Sequence, residues 1–192
     1  MSALKILVIP GSTRAGSHNA KLAATAACQF VQAGVDVTLI SLADFPLPIY
    51  DGDLEAKSGV PRHAANLGRM IGAHQGVLLV TPEYNASIPP LLSNAIDWVS
   101  RVQEPHERRG AVLRAKPFAI AAASESRLGG TRALAALRLK LSACQATVIP
   151  NQLALSFAGQ AYDDTDRLRL PADVEALDAL VRQLIDFAQH TM

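Results

Sequence analysis

Two uninterrupted apolar runs, Ile6 to Ile9 and Val77 to Val80, constrain this chain more than any other feature. A strand whose side chains are apolar on both faces must be covered on both faces, as happens in parallel sheets flanked by helices. Val35 to Ile40, Phe118 to Ala123 and the shorter Ala146 to Ile149 also have strand character. Between these runs the apolar residues take helical spacing. Leu22, Ala26 and Phe30 recur in this way, as do Leu92 and Ile96, and Leu134, Leu137 and Leu141. The last such stretch carries Val174, Leu177, Leu180 or Val181, and Leu184. Alternation of this kind predicts an α/β fold.

The patterns also order the strands. Val35-Asp36-Val37-Thr38-Leu39 alternates, and the fifth run carries Thr147, so both suit sheet edges. The expected fold is a doubly wound five-stranded parallel sheet, order 2-1-3-4-5, with helices on both faces. A length of 192 residues suits one domain, taken as residues 1–192. Ala43 to Pro61 reads as a long loop within it, and Glu104 to Pro117 as a second irregular stretch.

Composition removes several function classes. With 49% hydrophobic residues and a net charge of +1, the chain is neither disordered nor a nucleic-acid binder relying on bulk charge. No apolar stretch approaches the ~18 residues that span a bilayer. The opening MSALKILVIPGS lacks the features of a secretory signal, so a cytoplasmic protein is expected. Cys28 and Cys144 lie in Ala-rich surroundings and read as buried core thiols. The five histidines show no metal spacing, and no Cys-x-x-Cys or Gly-x-Ser-x-Gly occurs, so neither a metal site nor a serine hydrolase is expected.

In a sheet of this order, ligands bind beyond the carboxyl ends of the first and third strands, where strand order reverses. The loop after the first strand reads Gly11-Ser12-Thr13-Arg14-Ala15-Gly16-Ser17-His18-Asn19 and feeds a helix N-terminus, a setting that attracts anions. It fails the Walker A pattern, with Ser17 where lysine belongs, and the dinucleotide fingerprint, with Thr13 at the second glycine. A hydroxyl-rich loop suited to one phosphate monoester remains, in competition with an ordinary capped turn. The loop after the third strand reads Thr81-Pro82-Glu83-Tyr84-Asn85-Ala86-Ser87-Ile88-Pro89-Pro90. Ser87 is expected to cap the next helix, with Pro89 and Pro90 in its first turn. Capping leaves Pro-Glu-Tyr-Asn unexplained; an aromatic and an amide there suit a planar heterocycle, although Tyr84 alone reads as a half-buried aromatic.

These two loops, with Asn94-Ala95-Ile96-Asp97-Trp98-Val99-Ser100-Arg101, resemble the NADPH-dependent FMN reductase family from about Leu4 to Pro150. That family includes flavin, quinone and chromate reductases with a flavodoxin-like fold. The resemblance implies that Ser12, Arg14, Ser17 and Asn19 hold the FMN phosphate, and that Pro82, Glu83, Tyr84, Asn85 and Ser87 border the isoalloxazine. It adds Ser124, Gly129 and Gly130 after the fourth strand, the glycines letting the ring approach bare backbone. Pro90 and Ser93 stand where relatives usually carry Gly and Lys, and Glu125 brings a negative charge near the site.

The implied activity is an NADPH-dependent, with NADH as alternative donor, two-electron reduction of a flavin, quinone or similar small acceptor, chromate and azo compounds included. One flavin face serving both substrates implies ping-pong kinetics, and no side chain is assigned as catalytic. The alternatives are a flavodoxin-type electron carrier, against which a charge of +1 speaks, and a flavin-binding regulatory protein. Arg101, Arg108, Arg109, Arg114 and Lys116 read as a solvated surface loop ahead of a clamp for the extra phosphate of NADPH. Helical spacing sets Leu91, Ala95 and Trp98 on one stripe and Leu92, Ile96 and Val99 on its neighbour. One stripe needs cover from loops or from a second subunit, and the resemblance implies a homodimer or homotetramer.

Overall fold

The computed structural model describes residues 4–190 and contains a five-stranded parallel sheet in the order β2-β1-β3-β4-β5. The strands are β1 (Lys5–Pro10), β2 (Asp36–Leu39), β3 (Gly76–Thr81), β4 (Pro117–Ala123) and β5 (Thr147–Leu155). The expected order holds for the expected reason. Every residue of β3 and β4 is buried, whereas none of β2 is.

Successive strand residues point to opposite faces, so the sheet feeds two cores. Ile6, Val8, Leu78 and Val80 pack under α1 (His18–Gln32) and α6 (Pro171–His190), through Leu22, Ala26, Phe30, Leu177 and Leu184. Leu7, Ile9, Leu79 and Ile120 pack under α3 (Arg62–Gly72), α4 (Pro90–Val99) and α5 (Thr131–Ala143), through Leu67, Ile71, Leu92, Ile96, Leu134 and Leu137. No described helix is long and apolar enough to cross a membrane.

Several sequence expectations need correction. The fifth strand does not stop at Ile149 but continues through Pro150 to Leu155. An edge strand tolerates proline, and the β4–β5 register shifts between Phe118 and Ile120. Arg138 donates to the carbonyls of Val148 and Ile149 at this irregularity. The stretch from Ala43 to Pro61 is not all loop, because α2 (Gly52–Ser58) forms within it, capped by Asp51. Ser87 does not cap α4; Pro89 stands at that position, with Pro90 opening the helix. Cys28 is exposed and Cys144 half-buried, so neither is a fully buried core thiol.

The same long segment covers Trp98. Its indole is fully buried among Ala64, Val102, Leu47, Tyr50, Leu54 and Val60. Its Nε1 donates to the Pro48 carbonyl at 2.7 Å, and the Tyr50 ring meets it edge-on at 5.0 Å. Trp98, on the stripe that needed cover, therefore finds it within the chain, while Leu91 on the same stripe stays exposed. Glu55, on α2, fastens the arrangement: it accepts hydrogen bonds from Tyr50 Oη and Arg101 Nε, each 2.9 Å, and pairs with Arg109 at 3.5 Å. Burial alone would raise the Glu55 pKa; the bonds from Tyr50 and the arginines outweigh it and hold the carboxyl below its ordinary range. Arg101 and Arg109 are thus engaged by a carboxylate, and Lys116 Nζ by the His74 carbonyl.

Candidate functional site

Strand pairing sets the loops after β1, β3 and β4 side by side at the carboxyl edge of the sheet. Three direct ties bind them. Gly11 N donates to Val80 O at 2.7 Å, joining the first loop to β3. Asn19, on the first turn of α1, is buried and exchanges two hydrogen bonds with the Ala123 backbone at the end of β4. Glu83, in the second loop, reaches the start of α5.

The three helix N-termini at this edge differ in what they offer an anion. The first turn of α5 is already served, because Glu83 Oε2 accepts the N–H groups of Arg132 and Ala133 at 3.2 and 3.3 Å while its Oε1 pairs with the Arg132 guanidinium. Burial pushes the Glu83 pKa up, but the Arg132 side chain and these amides outweigh it and hold the carboxyl below its ordinary range. The first turn of α4 opens with Pro89 and Pro90, which have no N–H.

The first turn of α1 is different. Ser17 is its N-cap, its Oγ accepting from Ala20 N at 3.4 Å. The amides of Ser12, Thr13, Gly16, His18 and Asn19 donate to no protein acceptor among the described residues. Arg14 folds over the loop, its guanidinium reaching only the Ala15 and Gly16 carbonyls at 3.4 and 3.3 Å. No carboxylate among the described residues pairs with it. Convergent amides, the Ser12 and Thr13 hydroxyls and an unpaired guanidinium suit a phosphate monoester.

The second loop is a tight turn. Tyr84 and Ser87 exchange backbone hydrogen bonds of 2.9 and 3.0 Å, and Asn85 and Ala86 between them have φ of 51° and 63°. Two successive left-handed residues mark a type I′ turn, which Asn accepts readily. The turn leaves Tyr84 half exposed at the rim, with Asn85 and Ser87 beside it and Pro82 partly buried at its base.

In the third loop Ser124 Oγ accepts from Ser126 N at 3.2 Å, closing a local turn, and Ser124 O accepts from Ala158 N at 3.0 Å. Gly129 and Gly130 are buried, with φ of 60° and 91°. A Cβ on Gly129 would lie 2.6 Å from Ala154 O, and one on Gly130 would lie 2.6 Å from Ala122 Cβ. These glycines are therefore required by packing against β5 and β4, whatever approaches from the crevice.

The sequence-predicted residues thus share one edge and divide by task. Ser12, Arg14 and Ser17 belong to the loop before α1 whose free donors suit an anion (the anion loop) and Tyr84, Asn85 and Ser87 to the rim, while Asn19, Glu83, Gly129 and Gly130 hold the loops in place. Sequence reasoning missed Arg132, 49 positions from Glu83, and the pairing of His18 with Glu125. Contacts across such separations leave no local signal.

The chain matches the family described as NADPH-dependent FMN reductase over residues 4–160. It is similar to the quinone reductase of Escherichia coli (strain K12), 38% identical over 130 residues, covering 67% of this chain and 64% of that protein. The match therefore spans less than two thirds of that relative's length. An NAD(P)H-dependent FMN reductase of Pseudomonas aeruginosa is 33% identical over 189 residues, covering 94% of this chain and 97% of that protein. The structure of the flavoenzyme NAD(P)H:(acceptor) oxidoreductase FerB from Paracoccus denitrificans superposes with a TM-score of 0.79 at 25% identity, covering 97% of this chain and 98% of that one.

Proposed function

The chain belongs to the NADPH-dependent FMN reductase family, and from that premise we propose that it works as one FMN-binding unit, an NAD(P)H-dependent oxidoreductase that reduces a quinone, a flavin or a similar small acceptor. The observation that carries this reading is the α1 loop. Of the three helix N-termini at the crevice it alone combines unpaired amides with a guanidinium that has no carboxylate partner. These groups fit the phosphate tail of FMN.

Ser12, Thr13, Arg14 and the amides before α1 would hold that phosphate, with Ser17 keeping the first turn open as its cap. Asn19 and Glu83 act as positioning residues, since their polar atoms are engaged with Ala123 and Arg132. The Tyr84–Ser87 turn and the backbone of the third loop would flank the ring. Bound FMN would accept a hydride from a nicotinamide nucleotide and pass two electrons to the acceptor. Flat substrates would stack one at a time beside the half-exposed Tyr84. The same reading carries assembly into a homodimer or homotetramer, supported by Leu91 and Leu139, exposed on α4 and α5.

The test is anaerobic addition of NADPH, then NADH, to the protein loaded with FMN, while flavin absorbance is followed. Rapid bleaching is expected, and the faster donor identifies the preferred nucleotide. Bound flavin that neither nucleotide reduces would overturn the reductase reading and favour a carrier.

A further inference from the structure

His18 is the first residue of α1, so its backbone N–H belongs to the anion loop, and its side chain lies against the third loop. Its Nε2 is 2.6 Å from Glu125 Oε1, a length typical of a charge-assisted hydrogen bond. The other carboxylate oxygen, Oε2, accepts from Gly159 N at 3.3 Å. A Cβ at Gly159 would stand 2.7 Å from Oε1, so the segment after β5 approaches this carboxylate as bare backbone. Glu125 remains two-thirds exposed despite these contacts, which means that its charge is not hidden by burial.

A carboxylate beside the loop that would bind a phosphate dianion opposes that binding. The positive end of α1 and Arg14 attract the phosphate, and an unscreened Glu125 would subtract from both. Lys21 is committed to Asp166 at 2.5 Å, and Arg127 is exposed on the third loop.

We propose that His18 is a screening residue: paired through Nε2 with Glu125, it offsets the carboxylate and so preserves the affinity of the α1 loop for the phosphate of FMN. This rests on the FMN reading above and deepens it, because it assigns two residues that act on the phosphate end of the cofactor alone. The pair makes a prediction of opposite signs that a packing role does not make. Glu125→Gln removes the charge that needs screening and should tighten FMN binding. His18→Gln leaves the carboxylate unscreened and should weaken it. The double variant should return close to the starting affinity. Each single change should be roughly three- to tenfold, for a unit charge within about one Debye length of the phosphate.

The experiment is calorimetric titration of the purified protein and the three variants with FMN and, in parallel, with riboflavin, at low and moderate salt. Circular dichroism and melting of each variant verify that it is folded. Opposite shifts for FMN, none for riboflavin, and convergence of the four proteins as salt rises are expected. Shifts of the same sign in both single variants, equal shifts for FMN and riboflavin, or no shift at all would each overturn the screening role. Failure of the unmodified protein to bind FMN would instead overturn the cofactor reading itself, together with this inference.

Discussion

Asn19 grips both polar backbone atoms of Ala123: its Nδ2 donates to the carbonyl at 2.9 Å, and its Oδ1 accepts the N–H at 2.8 Å. The two residues are 104 positions apart, and Asn19 is 3% exposed. Through this contact the first turn of α1 is set against the end of β4, which fixes the anion loop relative to the third loop. Asn19→Ala would leave a buried N–H and a buried carbonyl without partners, at about 1–3 kcal/mol for each. Asn19→Asp keeps the acceptor but turns a second oxygen toward the Ala123 carbonyl, so it should also destabilise. Urea midpoints measure both, and a loss under about 0.5 kcal/mol for the alanine variant would show that water replaces the side chain there.

Glu83 should make the fold sensitive to acid. Its carboxyl is held below the ordinary glutamate range, so its stabilising effect is complete above the unfolded pKa and is lost as pH falls through the folded one. Glu83→Gln places an amide against the Arg132 guanidinium and weakens the cap on α5. A cost of about 0.5–2 kcal/mol at neutral pH is expected, shrinking as the pH is lowered. Parallel urea curves for the two proteins at neutral pH and near pH 4 check the sign; a difference that grows in acid contradicts it.

Arg14 is the one side-chain charge on the anion loop, and its guanidinium touches only backbone carbonyls. Arg14→Ala should therefore leave stability almost unchanged and weaken FMN binding by about 1.5–3 kcal/mol, the range of a charge-assisted bond. Calorimetry with FMN and riboflavin separates phosphate recognition from ring recognition, because only FMN should lose affinity. Unchanged FMN affinity removes Arg14 from the site.

How much of this was legible beforehand depended on whether the signal was local. Ile6 to Ile9 and Val77 to Val80 announce burial on both faces within four residues, so the sheet order followed. The loops announce themselves through Gly, Pro and hydroxyl residues. Cys28 was misread because Ala-rich surroundings say little about facing. The stripe of Leu22, Ala26 and Phe30 puts Cys28 on the opposite side of α1, where the thiol is in fact exposed. The roles of Glu83, Gly129 and Gly130 were hidden for another reason. Sequence places them in the right loop but carries no record of which way a carboxylate turns or which strand presses on a bare Cα.

Steady-state kinetics test how the crevice is shared. If, as proposed, one flavin face beside the Tyr84–Ser87 turn serves both substrates, the oxidised nicotinamide leaves before the acceptor enters. Initial-rate plots at several fixed acceptor concentrations should give parallel lines. Intersecting lines would mean that both substrates are held at once and would overturn the shared-face proposal.

Trp98 tests whether its stripe belongs to the chain or to an interface. The indole is fully enclosed by the segment containing Leu47, Tyr50 and Leu54, and its N–H ends on Pro48 O. Trp98→Phe keeps most of the buried surface but loses that donor, and Asn94 Nδ2 still serves the same carbonyl at 2.8 Å. A cost of about 1 kcal/mol is expected, against about 3–5 kcal/mol for Trp98→Ala, which also opens a cavity. The alanine variant should expose residues 43–61 to limited proteolysis, because Trp98 is what that segment packs on. Light scattering should give the same oligomeric mass for Trp98→Phe as for the unmodified protein. A fall in mass on this one change, with the segment still protected, would place Trp98 at a subunit interface and contradict its enclosure by its own chain.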